Sequence, residues 1–202
     1  MNRLRSYLLP ATGFAILAIA GTLMNVTPKA LAGPDTFTTI DFPHASSTIA
    51  FGINPRGDIV GQYTSAGVTH GFLLSRGSFL TIDVPGASFT AARDINPRGD
   101  IVGEYISASV THGFLLSGDS FTTIDLPGAT LTIANGINPR GDIVGQNTSA
   151  GVTHGFLLSA DSFLTIDVPG ATSTQALGIN PLGDIVGRYI SGGVSHGFLF
   201  RP

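Results

Sequence analysis

The chain has 202 residues and contains neither cysteine nor tryptophan. Without cysteine it has no disulfide framework and no site for an N-terminal lipid anchor, so stability must come from packing. Beyond residue 32, seven arginines face thirteen carboxylates, a balance that disfavours nucleic acid and anionic membrane as partners.

At the N-terminus, Arg3 and Arg5 precede the apolar run LLPATGFAILAIAGTLM, and Ala30-Leu31-Ala32 is a small-residue cleavage site. This is the pattern of a secretory signal peptide over residues 1–32. The expected product is secreted, to the extracellular space or periplasm, and makes no stable membrane insertion after cleavage. An uncleaved anchor is the competing reading, but Pro10, Thr12 and Gly13 interrupt the run.

Residues 33–202 read as a single repeat domain. Asn54, Asn96, Asn138 and Asn180 recur at a spacing of 42 residues, in step with Asp58, Asp100, Asp142 and Asp184 and with Phe72, Phe114, Phe156 and Phe198. The units are 37–78, 79–120, 121–162 and 163–202. In the second copy, TAARDI is an inner strand. Asn96-Pro97-Arg98-Gly99 then forms a tight turn, because Pro presets φ and Gly supplies the positive φ. DIVGEY and THGFLLS follow as strands, and Gly118-Asp119 turns the chain into FTTIDL. Pro127-Gly128 ends that pairing and opens a looser link to the next unit.

Three hairpins followed by one loose link suit a meander that steps to a neighbouring sheet. Strands such as DIVG and GFLL are apolar on both faces, as expected of sheets sandwiched between others. The fold expected is all-β, a four-bladed β-propeller of four-stranded repeats, with a β-solenoid or sandwich as the alternative. The chain presents a fourth-type strand, FTTIDF, before its first inner strand and ends after a third-type strand, so closure of the ring by residues 37–42 is expected. The Asn-Pro-Arg-Gly turns and the turns between third and fourth strands should share one side of the array. The Ser-Ala-Gly-Val turns and the Pro-Gly links should share the other.

The segments GINPRGDIVG, DINPRGDIVG, GINPRGDIVG and GINPLGDIVG each lead to a His-Gly-Phe triplet, at His70, His112, His154 and His196. In these residues the chain resembles the HAF family of extracellular repeats, whose triplet is His-Ala-Phe. The resemblance spans essentially all of the chain beyond the leader. It implies a bacterial secreted or surface protein, and it carries over neither an activity nor a catalytic residue.

The repeated histidines do not suit a metal. On third strands they would sit about 9–10 Å outward of the innermost strand, whereas a zinc ligand must lie about 2 Å from its ion. A half-buried imidazole bonded to backbone or to a turn carboxylate is the better account. Asp41, Asp83, Asp125 and Asp167 fall on separate outer strands, too far apart for the paired acids of glycoside hydrolysis. The three Arg-Gly-Asp tripeptides are explained by turn chemistry, and the fourth copy has Leu182 in place of Arg. Arg56, Arg98 and Arg140 would ring one face and are the candidate partner contacts. The function expected is that of a non-catalytic binding scaffold or protein-interaction surface, a monomer with no metal and no cofactor, whose partner is a protein or a glycan. A lectin-like propeller is the alternative. For it, the aromatics able to stack on sugar are Tyr63, Tyr105 and Tyr189, with Asn147 in the remaining copy. A hydrolase is the weakest reading.

Overall fold

The computed structural model describes residues 36–202, and none of these is helical. The leader expected over residues 1–32 lies outside them. The strands are β1 (Ser47–Ile53), β2 (Ile59–Ser65), β3 (Val68–Ser75), β4 (Ser78–Ile82), β5 (Phe89–Ile95), β6 (Ile101–Ser107), β7 (Val110–Ser117), β8 (Ser120–Ile124), β9 (Leu131–Ile137), β10 (Ile143–Ser149), β11 (Val152–Ser159), β12 (Ser162–Ile166), β13 (Ser173–Ile179), β14 (Ile185–Ser191) and β15 (Val194–Phe200). Grouped by strand pairing, the units are antiparallel meanders displaced by one strand from the sequence periods, β1–β4, β5–β8 and β9–β12, and the fourth consists of β13, β14 and β15. Single parallel bridges, Thr69 to Phe89, Thr111 to Leu131 and Thr153 to Ser173, join the third strand of one unit to the first strand of the next. The result is a mixed array of repeated antiparallel sheets.

The turns form for local reasons. Asn54 Oδ1 accepts from the N–H groups of Arg56 at 2.9 Å and Asp58 at 3.1 Å, while Gly57 adopts φ 81° and donates to the Asn54 carbonyl at 2.9 Å. The side chain thus imitates a backbone turn. The hairpin at Ala66 and Gly67 has φ of 50° and 80°, the mirror-image turn whose twist matches the flanking strands.

Apolar burial lies between units rather than within them. Val60 and Ile82 of the first unit cluster with Ala92, Ile95, Ile101 and Phe114 of the second. Val102 and Ile124 meet Ala134, Ile137, Ile143 and Phe156, and Val144 and Ile166 meet Ala176 and Ile185. Each unit completes its neighbour's core, as in other repeat proteins. Within the second unit, glycine makes room for a core ring at Gly103, where a Cβ would lie 2.0 Å from the Ala91 carbonyl oxygen and 2.8 Å from the Phe114 ring.

The expected closure is corrected by the strand ladder. Residues 36–42 form no strand, and among the described residues β15 pairs only with β14. Phe42 stacks on Tyr63 of the first unit instead, with ring centroids 3.6 Å apart. The reason is local. Ala45 N–H donates to the Phe42 carbonyl at 3.1 Å, as Ala87 does to Val84, Ala129 to Leu126 and Ala171 to Val168, so the link turn holds Phe42 over the unit that follows it. Among the described residues, no strand of the first unit packs along a strand of the fourth.

Candidate functional site

Three repeated arrangements concentrate the polar chemistry. The first is the row of Arg-Gly-Asp turns. Asp58 accepts from Ser75 Oγ at 2.6 Å and from Asn54 Nδ2 and Arg56 Nε at 2.9 Å each. The Ser75 bond, followed by those of Asn54 and Arg56, lowers its pKa from 3.8 to about 2. Burial pushes Asp100 and Asp142 up, but bonds from Asn96, Ser117 and Arg98, and from Asn138, Ser159 and Arg140, outweigh it and hold both below the usual carboxylate range. The bond from Ser75, at the end of β3, also puts the two kinds of turn on one side as expected. On the other side, Ser149 Oγ donates to the Gly128 carbonyl of a link at 3.5 Å.

Arg56, Arg98 and Arg140 do form a row, half-exposed, with each guanidinium engaged inside the protein. Arg56 Nη1 donates to the Pro97 carbonyl and Arg98 Nη1 to that of Pro139. Each also lies over the glycine of the next turn: a Cβ on Gly99, Gly141 or Gly183 would come within 3.0, 2.9 or 2.8 Å of the Nη2 of Arg56, Arg98 or Arg140. These arginines staple one unit to the next. Leu182, 82% exposed, stands where no following turn is present among the described residues.

The second arrangement is the expected bond from a half-buried imidazole to a carboxylate, with a partner that the sequence reading does not name. Nδ1 of His70, His112 and His154 lies 2.9, 2.8 and 2.8 Å from the carboxylates of Asp83, Asp125 and Asp167. Weighed separately, histidine and aspartate show no link, yet the hairpin register that pairs Gly71 with Ile82 puts His70 opposite Asp83. Counting outward from the two-residue turn finds the pair. Tyr63 stacks on His70 at 5.1 Å and Tyr105 on His112 at 5.0 Å, and their hydroxyls bond Thr81 and Thr123 at 2.9 Å. The clusters of the first two units are thus closed on themselves, and each sits on its own unit. Among the described residues, no three His, Asp or Glu side chains gather as metal ligands.

The third arrangement is the fourth unit's counterpart of that cluster. His196 stacks on Tyr189 at 5.0 Å, but among the described residues no aspartate reaches it. Beside the edge of β15 that does not face β14 runs a groove of about 540 Å³, lined by Tyr189, Gly197, Phe198, Leu199 and Phe200 and by residues 165–169.

One inner strand also departs from the pattern. Asp94, in the place of Gly52, Gly136 and Gly178, accepts from Ile137 N–H at 2.9 Å and Ile95 N–H at 2.8 Å. Burial raises its pKa against those two bonds.

No family model matches the chain, and no curated protein matches it. Among solved structures it is similar to a streptogramin B lyase, at 17% identity and a TM-score of 0.46, over 77% of this chain and 55% of that one. It is also similar to a catalytically inactive virginiamycin B lyase from Staphylococcus aureus with quinupristin, at 15% identity and a TM-score of 0.46, over 75% of this chain. The chain spans 55% of the length of each.

Proposed function

We propose that the protein is a secreted, non-catalytic scaffold of propeller-type blades whose first partner is a second copy of itself. Residues 37–42 of one copy add as a fourth strand to β15 of the other, and two copies exchange these segments reciprocally. The observation that carries this reading is the outer edge of β15, which pairs with nothing among the described residues, together with its groove. An open edge of this kind presents unpaired N–H and C=O groups to an incoming strand.

The segment is suited to the groove in three ways. Its sequence FTTID is identical to residues 121–125, which include most of β8, the outer strand of the second unit. In the register of β7 with β8, which sets Leu115 against Thr122 and Gly113 against Ile124, Thr38 would face Leu199 and Ile40 would face Gly197. That register also brings Asp41 to His196 and Thr39 to the Tyr189 hydroxyl, supplying the partners that His112 finds in Asp125 and Tyr105 in Thr123. Phe37, 98% exposed, would gain a wall, and burying it stabilises by about 1.5–3 kcal/mol. The four His-Gly-Phe triplets support grouping the scaffold with the HAF-type extracellular repeats.

The chain has no cysteine, so engineered cysteines report cleanly. A variant carrying Thr38→Cys and Leu199→Cys, oxidised and run without reductant, is expected as a covalent dimer. Each single variant should give no crosslink between these two positions. A monomer with an internal disulfide joining positions 38 and 199 would mean closure within one chain and would overturn the second-copy reading. No crosslink at all, with a monomer by sedimentation, would overturn strand donation altogether.

A further inference from the structure

In the first two units, the space in front of the histidine is filled by the chain's own tyrosine. Tyr63 lies between Phe42, at 3.6 Å, and His70, at 5.1 Å, with its hydroxyl on Thr81. The third unit has Asn147 at this position, while the surroundings are kept: Leu126, Pro127, His154, Phe163, Thr165 and Asp167 stand where the first unit has Phe42, Pro43, His70, Phe79, Thr81 and Asp83. These six, with Asn147 and Ser149, line a cleft of about 390 Å³. That is within the size range of small-molecule sites.

One residue of the cleft and its strand neighbour each carry a buried polar atom without a partner. Asn147 is 5% exposed and its Oδ1 has no hydrogen-bond partner, although a buried carbonyl of this kind normally finds one. The other buried side-chain atom without a partner among the described residues is Thr132 Oγ1. Its counterparts Thr48, Thr90 and Thr174 accept from the link N–H groups of Phe42, Val84 and Val168. The link over the cleft therefore lacks the tie that holds the other three.

We propose that this cleft is a binding site for a phenol. The ring would enter between Leu126 and Pro127 on one side and the His154 imidazole on the other, against the edge of Phe163, in the way that the tyrosine rings of the first two units lie. Its hydroxyl would bond Thr165 Oγ1 as the tyrosines bond Thr81 and Thr123, beside the Asn147 amide that lines the cleft. The walls are apolar or aromatic and the polar groups few and convergent, the make-up of a site for a flat, neutral, singly hydroxylated ring. A free phenol and the tyrosine side chain of a peptide share this chemistry.

The test titrates p-cresol, the tripeptide Gly-Tyr-Gly and methyl glucoside into the full chain, following the His154 ring signals by NMR. Saturable shifts with p-cresol are expected, and Asn147→Tyr, which restores the residue of the first two units, should weaken binding by about ten-fold or more. That variant should fold, because Tyr63 and Tyr105 are already accommodated in the same surroundings, and its unchanged strand spectrum checks this. Binding of the tripeptide as well would assign the site to a protein segment, whereas p-cresol alone would assign it to a free phenol. Equal p-cresol affinity in Asn147→Tyr, no p-cresol binding by the natural chain, or a preference for methyl glucoside would overturn the proposal.

Discussion

The second and fourth units are built from nearly the same strands and differ in what lies against them. Val102 is fully buried under the third unit, whereas its counterpart Val186 is 51% exposed. Gly113 is backed by the outer strand β8, while Gly197 meets only one atom within 4 Å, 3.9 Å away. Burial here is a property of position in the array rather than of the repeat. The same residues are core in the middle and surface at the end. This follows from cores that form at junctions, where one sheet cannot bury its apolar face without a neighbour.

The largest effect should come from placing a charge on the two matched valines. Val102→Asp puts a carboxylate among the apolar side chains of Ile124, Ala134, Ile137 and Phe156, and an expected loss of about 4 kcal/mol or more would leave little folded protein in urea titrations. Val186→Asp should change stability by less than about 1 kcal/mol. Equal losses at the two sites would show that the fourth unit's face is covered in solution and would break the contrast.

Smaller effects are expected at the glycines. A Cβ at Gly113 would lie 3.0 Å from the Ile124 carbonyl oxygen, so Gly113→Ala should cost about 1–3 kcal/mol. Gly197→Ala should be near neutral in the isolated chain. If strand donation operates, Gly197→Ala should instead lower the yield of the covalent dimer formed through the paired cysteines at 38 and 199, because the donated strand would bring a carbonyl against the new methyl group.

The smallest effect tests the turns, which hold neighbouring units in line. A carboxylate whose folded pKa is depressed contributes stability that is present above its unfolded value and lost as pH falls through its folded value. The contribution of Asp58 should therefore be complete above pH 3.8 and fade as the pH approaches about 2. Ser75→Ala removes the largest cause of that shift. It should cost about 1 kcal/mol near neutral pH, with the difference from the natural chain vanishing below the folded pKa. A difference that stayed constant down to strongly acid pH would mean that Ser75 acts through packing instead.

Much of this architecture can be read without coordinates, because it is written in short-range chemistry. The period, the Asn-Pro-Arg-Gly turns and the two-residue hairpins depend on φ preferences and side-chain bonds within a few residues, and they locate the strands to within one or two positions. The candidate sites are less legible. Arg56 looks like a free surface cation because the Pro97 carbonyl it bonds is 41 residues away. Asn147 reads as a missing aromatic, but the walls of its cleft come from Leu126, 21 residues earlier, and from Phe163 and Asp167 on or just beyond another strand.

By itself, then, the sequence determined the repeat, its turns, its strand order and the residues available at each junction, since all of these follow from local torsions and from apolar residues recurring in step. Only the tertiary structure decided which junctions are made. It places residues 36–42 outside any strand and Phe42 on Tyr63, pairs β15 among the described residues with β14 alone, and converts one change from tyrosine to asparagine into a cleft. Pairing between distant strands has the same local chemistry whether it is made in place, with a neighbour or not at all. The choice rests on the geometry that accumulates from unit to unit and on the entropy of bringing distant segments together.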